Sequence, residues 1–275
     1  MIVQNLAINF IVLLAIILIL WRISVRIRDV SFIDAFWAFG MVLLAWVSWA
    51  SAGASARGNL LLALTTLWGM RLAIHLFARW RREGEDRRYK MILGHAMEKR
   101  GWSWNTAALI MAWMMQMPLL FLTSLPAQIG IIVSGESAGI GGQSAGIGAL
   151  AWTGAVIAII GIAFETIGDA QLQAFKSNPD NHGKVLDSGL WRYTRHPNYF
   201  GDFTAWWGIW LVAADAGLFT ALATIIGPLF LSFTLLKWSG GPLLERGLKK
   251  RKAQYQDYID RTSGFFPLPP RKPGA

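Results

Sequence analysis

Cysteine is missing from this sequence and charged side chains are scarce. With 0 Cys among 275 residues, a disulfide framework, thiolate metal ligands and a thiol nucleophile are all excluded. Only 15% of the residues are charged, whereas soluble domains have about 25%. The hydrophobic fraction of 54% and the mean hydropathy of +0.41 complete a composition that excludes an ordinary soluble fold. The composition indicates an integral membrane protein.

Sequence motifs of several enzyme classes are missing as well. The chain has no SxxK, Walker or HExxH motif, so NTPase, zinc-protease and SxxK-type hydrolase functions have no support. The His residues at 75, 95, 182 and 196 form no pair at ligand spacing, and we expect no bound metal. The glycine-rich segment Ser134–Gly146 follows no strand and has no basic residue. We interpret it as a flexible connector, not as a dinucleotide-binding loop.

Long apolar stretches are frequent. A helix needs about 20 apolar residues to span a bilayer, and seven stretches reach or approach this length. They lie at about 2–21, 32–52, 59–78, 105–133, 147–173, 200–214 and 216–238. The first has no basic n-region and no cleavage site, which favours a retained helix over a signal peptide. We therefore predict an all-α, polytopic membrane protein with about seven transmembrane helices, in which residues 1–275 form a single domain.

Basic residues are distributed unevenly among the predicted loops. Of the 26 Lys and Arg residues, 24 fall in four segments: 22–30, 79–104, 174–199 and the tail from 237. With seven spans, these four segments lie on one side of the membrane, which the positive-inside rule identifies as the cytoplasm. We therefore expect the N-terminus outside and the C-terminus in the cytoplasm. The net charge of +10 then requires no nucleic-acid partner.

Apart from Lys237 at the end of the last span, six ionisable residues lie within the predicted spans, where charges are costly and usually functional. All six lie in the predicted cytoplasmic half: Asp34, Arg71, His75, Glu165, Asp169 and Asp202. This distribution favours a polar pocket that is open to the cytosol. The alternative is a set of ion pairs that closes the helix bundle.

Three segments rich in polar residues flank this pocket: Arg79–Lys90, Asp187–Asp202 and Glu245–Pro270. In the second of them, Arg195 and His196 come directly before Pro197, a residue suited to the first turn of a helix. Cationic side chains beside a helix N-terminus favour an anionic group there. The alternative is anchoring at the membrane interface by aromatic and basic side chains.

The segment GLWRYTRHPNYFGD (Gly189–Asp202) resembles the steroid 5-alpha-reductase superfamily, and in particular its bacterial membrane branch. Further segments resemble that branch in the same order: DVSFIDAFW (29–37), LWGMRLAIHL with GEDRRY (67–89), DAQLQAFK (169–176) and YQDYIDRTSGFFPLPP (255–270). The resemblance covers nearly the whole chain. A similar RHPxYxG string occurs in isoprenylcysteine carboxyl methyltransferases, where it helps to bind S-adenosylmethionine.

The resemblance implies a seven-helix bundle in a bacterial inner membrane, with NADPH in a cytosolic-side cavity formed by the half from about 150 to 275. NADPH would deliver a hydride to an activated C=C of a lipid such as a 3-oxo-Δ4 steroid. Asn198 and Asp202 match the superfamily's nucleotide segment, Asp169 and Lys176 its acidic and basic nucleotide contacts, and Arg71 a basic position of the third helix. The predicted cofactor site also includes Glu165, Tyr199, Arg195 and His196. We expect the last two to hold the diphosphate, and the basic rim to favour NADPH over NADH.

Reduction of an enone also needs a group that polarises the carbonyl and a source of a proton. The candidate catalytic residues are Asp34, Glu85, Asp86 and Tyr89. For Glu85 and Asp86 the alternative is an ion-pair network with the neighbouring arginines. Asp34 is the only acid of the second span, and Trp68 aligns with a Tyr that grips the keto group in the animal enzymes. These departures leave the steroid substrate open.

Two other functions stay open. RHPNY together with Glu245 is also compatible with an S-adenosylmethionine-dependent membrane methyltransferase. A non-enzymatic lipid-binding or transport protein should have broken helices at the membrane midplane, whereas here the ionisable residues lie at the cytosolic ends of the spans. The favoured prediction is an NADPH-dependent reductase of a lipid or steroid-like substrate, surrounded by membrane lipids.

Overall fold

The computed structural model describes residues 1–141, 146–238, 245 and 254–271, and these residues form helices and loops without a strand. The helices are α1 (Ile2–Ile27), α2 (Ile33–Ala52), α3 (Ala56–Glu83), α4 (Arg87–Arg100), α5 (Trp104–Thr123), α6 (Leu125–Gly141), α7 (Ala149–Ser177), α8 (Pro197–Ala214), α9 (Leu218–Lys237) and α10 (Tyr255–Arg261). Short 3-10 turns at Pro179–Asn181 and Gly189–Arg192 lie between α7 and α8.

Six helices in the described part of the chain are long and apolar enough to cross a bilayer, namely α1, α2, α3, α5, α7 and α9. This confirms the predicted all-α, polytopic membrane architecture. Helix α8, at the sixth predicted span, has 18 residues and is not one of these six. Asn198 and Asp202 in its first two turns lower its hydropathy. The orientation of the termini stays a prediction.

The prediction of a flexible connector at Ser134–Gly146 is wrong for its first part, because α6 continues to Gly141. Small residues allow α6 to continue beside α2. A Cβ on Gly135 would collide with the backbone of Ala52 at the end of α2. Residues 142–145 lie outside the described part of the chain. The fourth predicted span, 105–133, is divided at Ser124, shortly before Pro126, whose nitrogen cannot donate a helical hydrogen bond.

Helix α4 is a further correction, since the sequence analysis treats residues 79–104 as a loop. Its first turn is capped by Asp86, whose carboxylate accepts a hydrogen bond from the Arg88 N–H at 2.8 Å. Such a cap satisfies a backbone donor that a helix start leaves open. The helix ends at Gly101, which has a φ of 65°, a conformation that glycine adopts without strain.

The chain divides into two compact units. Unit 1 comprises Met1–Ala151 and Val212–Gly227, and unit 2 comprises Trp152–Leu211 and Pro228–Ala275. The second unit begins close to residue 150, where the predicted cofactor half begins. That the whole chain is one functional domain stays a prediction.

Buried polar contacts hold unit 1 together. The Asn9 amide of α1 donates to Ser48 Oγ of α2 and to Gln128 Oε1 of α6, each at 2.8 Å. In lipid, hydrogen bonds of this kind join neighbouring helices because water does not compete for the donors and acceptors. At the start of α3, Arg57 donates to Asp215 Oδ2 from Nε at 3.0 Å and from Nη2 at 2.8 Å. Asp215 Oδ2 also accepts from the Gly148 N–H at 3.1 Å.

Candidate functional site

Close packing of α7 against α8 sets the geometry of the predicted nucleotide segment in unit 2. Three glycines form this contact, and a Cβ on any of them would meet the backbone of the opposite helix: Gly161, Gly201 and Gly208. Small residues at such positions let two membrane helices approach until their backbones touch. This contact was not predicted, although the spacing of Gly201, Ala205 and Gly208 signals it.

Asn198 and Asp169 meet at the start of α8. The Asn198 Nδ2 donates to Asp169 Oδ1 at 3.1 Å, and the Asn198 Oδ1 accepts from the Tyr199 N–H at 3.1 Å. Asp169 is buried, and Gly168 beside it lies against Pro197 and Asn198. The structure therefore joins two segments, DAQLQAFK and RHPNYFGD, that the sequence places 29 residues apart. Their binding of a nucleotide stays a prediction.

Two more predicted cofactor residues are buried carboxylates of the same helix pair. Glu165 is 3% exposed and Asp202 is 7% exposed. Gly201 on α8 packs directly on the backbone of Glu165, so that the two acids belong to facing segments. Buried carboxylates are favourable only with donors or cations around them. With Asp169, this part of unit 2 is rich in acids.

Arg195 and His196, which were expected to hold a diphosphate, contact Glu245. Arg195 donates to Glu245 from Nε at 2.7 Å and from Nη2 at 3.3 Å. The His196 Nε2 lies 3.0 Å from Glu245 Oε1, and its ring stacks on Tyr199 with centroids 5.4 Å apart. Two protein groups thus satisfy one carboxylate, and this arrangement fixes the side chains that precede α8.

The same arginine joins the C-terminal tail to this segment. The Arg195 Nη1 donates to the carbonyl oxygens of Ile259 and Thr262, at 3.2 Å and 2.6 Å, and the Arg195 N–H donates to the Ser263 carbonyl at 2.9 Å. Thr194 Oγ1 donates to the Phe265 carbonyl at 2.7 Å. The sequence analysis placed the tail near the pocket but did not identify Arg195 as the residue that binds it.

Glu245 and Tyr255 titrate abnormally in this cluster. Burial raises the pKa of Glu245, but hydrogen bonds from His196 and Arg195 outweigh burial and lower it to about 2. Burial, together with the negative charge of Glu245, raises the pKa of Tyr255 to about 12. Glu245 is therefore ionised and Tyr255 neutral at physiological pH.

The predicted catalytic residues Asp34 and Tyr89 are in contact in unit 1. The Tyr89 hydroxyl donates to Asp34 Oδ1 at 2.7 Å. Asp34 Oδ2 accepts from Arg79 at 3.2 Å and from Arg88 at 3.0 Å. Burial and the charge of Asp34 raise the pKa of Tyr89 well above its ordinary value, so the phenol stays protonated. Neither arginine was predicted as a partner of Asp34.

Glu85 and Asp86 form ion pairs with basic neighbours. Asp86 pairs with Arg88 at 2.8 Å, and Glu85 lies 3.9 Å from Lys90. Burial raises the pKa of Asp86, but hydrogen bonds from Arg88 outweigh it and the pKa lies below its ordinary value. The Asp86 N–H also donates to Ser31 Oγ at 2.8 Å. This geometry supports the alternative interpretation of the two acids as an ion-pair network, and a catalytic role for them stays a prediction.

Arg71 and Lys176 are the two remaining residues of the predicted cofactor site. Arg71 lies on α3 in unit 1, whereas the other predicted cofactor residues belong to unit 2. Lys176 is exposed near the end of α7, and Arg192 before α8 is exposed as well. The described residues contain no group of three or more His, Asp and Glu side chains that could hold a metal ion.

Comparisons with known proteins give one family and two relatives. The family described as "Protein of unknown function (DUF1295)" matches residues 20–262. The probable O-methyltransferase ustE of Ustilaginoidea virens is 41% identical over 54 residues, which are 20% of this chain and 19% of that protein. The uncharacterized protein C594.04c of Schizosaccharomyces pombe is 24% identical over 282 aligned residues, covering 90% of this chain and 76% of that protein. No solved structure matches the chain.

Proposed function

The chain belongs to the DUF1295 family, and from this premise we propose that it is a membrane-embedded NADPH-dependent reductase. Its substrate would be a lipid with an activated C=C, such as a steroid-like enone. The proposal combines the contacts of unit 2 with the resemblance to the steroid 5-alpha-reductase superfamily.

The contact between Asn198 and Asp169 carries the proposal. The resemblance marks both residues as nucleotide-binding, and the fold brings them within 3.1 Å of each other. A side-chain amide offers donors and an acceptor, and a carboxylate offers acceptors. This pair of groups suits the hydroxyls of a ribose or a carboxamide.

The side chains of unit 2 fit a phosphorylated nucleotide in part. Lys176 and Arg192 are exposed cations that would pair with phosphate oxygens through charge-assisted hydrogen bonds. Arg195 and His196 contact Glu245. Because this carboxylate already engages their nitrogens, the contact argues against their expected role in binding the diphosphate. When bound, NADPH supplies the hydride for a C=C. The protein residues then hold and orient the nucleotide.

Tyr89 and Asp34 of unit 1 are the groups best suited to the proton chemistry. A phenol that stays protonated can donate a hydrogen bond to a carbonyl oxygen and polarise an enone. In the structure without substrate, the Tyr89 hydroxyl donates to Asp34 instead. This hydrogen bond fixes the orientation of the tyrosine ring. Arg79 and Arg88 form ion pairs with Asp34 and hold the carboxylate beside the phenol.

A second candidate function is methyl transfer from S-adenosylmethionine. The relative ustE is named as a probable O-methyltransferase. In addition, Glu165, Asp169 and Asp202 are all buried in unit 2. Buried carboxylates favour a ligand that carries a sulfonium and an ammonium over one that carries several phosphates. Only a direct comparison of the two cofactors decides between the functions.

The deciding experiment measures binding of NADPH, NADH and S-adenosylmethionine to the purified protein by calorimetry and by the shift in melting temperature. We expect NADPH to bind most tightly, because charge-assisted bonds to its 2′-phosphate contribute about 1.5–3 kcal/mol. In Asn198→Ala the stabilisation by NADPH should disappear, while the melting temperature without ligand falls only slightly. Ligand-dependent stabilisation reports binding to the folded state.

Asn105→Ala is the matched control, because Asn105 is also an Asn in the first turn of a helix but is exposed and lies in unit 1. It should keep the full NADPH shift. A full shift in Asn198→Ala would show that the start of α8 is only structural. Binding of S-adenosylmethionine without nicotinamide binding would replace the reductase by the methyltransferase.

A further inference from the structure

A groove in unit 1 lies beside α4 and is separate from the residues of the proposed function. Its volume is about 500 Å³, and its walls are one face of α4 and Met111 of the membrane span α5. None of the predicted cofactor or catalytic residues lines it.

The groove wall that α4 contributes changes from apolar to cationic along the helix. Two rows of residues with a spacing of four line the groove, one beginning at Met91 and the other at Ile92. Such rows lie along one helix face. Met91 and Ile92 are exposed apolar side chains, at 67% and 41%, while Lys99 and Arg100 end the rows two turns later.

The cationic end of the groove has no acid among its lining residues. His95 stands between the apolar and the cationic residues, and Glu98, the only acid of α4, does not line the groove. Arg100 stacks on Trp102, with its guanidinium 4.7 Å from the ring centroid. This contact holds the guanidinium in place through the cation–π attraction.

Aromatic residues indicate that the groove lies at the membrane boundary. The Trp21 Nε1 donates to the carbonyl oxygen of Asn105 at 3.0 Å, and Arg28 lies 5.2 Å from the ring centroid of Trp104. Trp residues concentrate where a span leaves the hydrocarbon region. These contacts surround the first turn of α5, next to the end of α4.

We propose that this groove binds one anionic membrane phospholipid. Its phosphate contacts Lys99 and Arg100, and the upper part of an acyl chain lies along Met91, Ile92 and Met111. Two cations at one end and an apolar floor match a headgroup joined to a hydrocarbon chain, whereas a soluble phosphate ester would leave the apolar part exposed. The proposal goes beyond the reductase function and does not depend on the cofactor.

The test compares phosphatidylglycerol with phosphatidylcholine of the same acyl chains, each added to the full-length protein in neutral detergent micelles. We expect phosphatidylglycerol to raise the melting temperature more than phosphatidylcholine and to remain bound in native mass spectra. In Lys99→Ala/Arg100→Ala, more than about half of the excess shift should be lost, since ligand stabilisation follows occupancy of the folded state.

Arg81→Ala/Arg82→Ala is the matched control, because these two exposed arginines belong to the same basic region and do not line the groove. It should keep the shift. Lys99→Ala alone leaves the contact between Arg100 and Trp102 intact and should lose part of the shift. This variant tests the proposal if the double variant does not fold.

Three results would each overturn the proposal. One is equal stabilisation by the two lipids, and another is equal loss of the shift in both double variants, which would indicate a general effect of charge. The third is a full shift with sn-glycerol 3-phosphate, which would make the groove a site for a soluble phosphate ester.

Discussion

Glu245 is the residue that both Arg195 and His196, just before α8, contact. Arg195 binds it through two nitrogens, and His196 through one. Arg195 also binds two carbonyl oxygens of the tail. One carboxylate and one guanidinium therefore fix both the start of α8 and the C-terminal tail. A charge pair with this many partners is expected to depend on pH.

The stabilisation that Glu245 provides should be lost in acid. Its folded-state pKa of about 2 lies below the ordinary 4.5, so its contribution to stability is complete above pH 4.5 and declines as the pH falls towards 2. We expect the melting temperature of the wild type to fall more steeply over this range than that of Glu245→Gln. Thermal unfolding in detergent between about pH 6 and pH 3 measures the two slopes.

Glu98→Gln is the control, because Glu98 is an exposed carboxylate of α4. This variant should show the same slope as the wild type. Parallel slopes for the wild type and Glu245→Gln would mean that Arg195 and His196 do not stabilise the charged carboxylate in solution.

At the scale of elements, the pair α7 and α8 depends on small residues. Gly208 lies against the backbone of Ala158 and Gly154, and Gly201 against that of Glu165. The contact determines where the side chains of Asp169 and Asn198 meet, since both lie at the end of the same interface. Any larger side chain in this row separates the two backbones.

Gly208→Leu should therefore destabilise the protein. Overpacking usually costs about 1–3 kcal/mol, and here the opposing atoms are backbone atoms that cannot rotate away. The melting temperature should fall, and the contact between Asn198 and Asp169 should be weakened, with a loss of NADPH-dependent stabilisation. Thermal unfolding with and without NADPH measures both effects.

Gly94→Leu provides the comparison, because Gly94 lies in α4 with open space around it and a leucine favours a helix more than glycine does. It should be neutral or stabilising. An unchanged melting temperature in Gly208→Leu would show that α7 and α8 do not approach as closely as the glycine row indicates.

The hydropathy of the chain predicted most helices, because an apolar run longer than a bilayer is a local property of the sequence. The spans α1, α2, α3 and α7 lie within a few residues of their expected bounds. Helix α4 was missed because its many charges obscure the buried face formed by Tyr89, Leu93 and Ala96. The continuation of α6 to Gly141 was missed because glycine and serine usually indicate a loop. They also occur in a helix where a neighbouring helix packs so closely that only small residues fit.

The contacts of the candidate site were less accessible to sequence reasoning. The resemblance implied that Asn198 and Asp169 both contact a nucleotide, but their direct hydrogen bond could not be derived from spacing alone. Glu245 lies 50 residues after Arg195, and no periodic pattern connects two residues at that distance. Long-range ion pairs follow from the packing of elements, which the sequence does not display locally.

For the whole molecule, the asymmetry of basic residues makes a topological prediction. Because 24 of the 26 Lys and Arg residues fall in segments that seven crossings place on one side, the C-terminus should be cytoplasmic. A reporter enzyme active only in the cytoplasm should work when fused after Ala275. The same reporter inserted after Ala216, in the turn between α8 and α9, should be inactive.

Activity at Ala216 and inactivity after Ala275 would reverse the orientation. Activity at both positions would mean that α9 does not cross the membrane. Either result would remove the reason for placing the polar ends of α2, α7 and α8 in the cytosol.

The ion pair between Arg57 and Asp215 has a consequence for the synthesis of the chain at the ribosome. The two residues are 158 positions apart, so Arg57 is inserted long before its partner has been synthesised. A nascent chain that has not reached the turn after α8 carries this arginine without its carboxylate at the rim of the bilayer. Burying an unpaired charge is costly, so the buried position of Arg57 becomes favourable only when Asp215 has joined it.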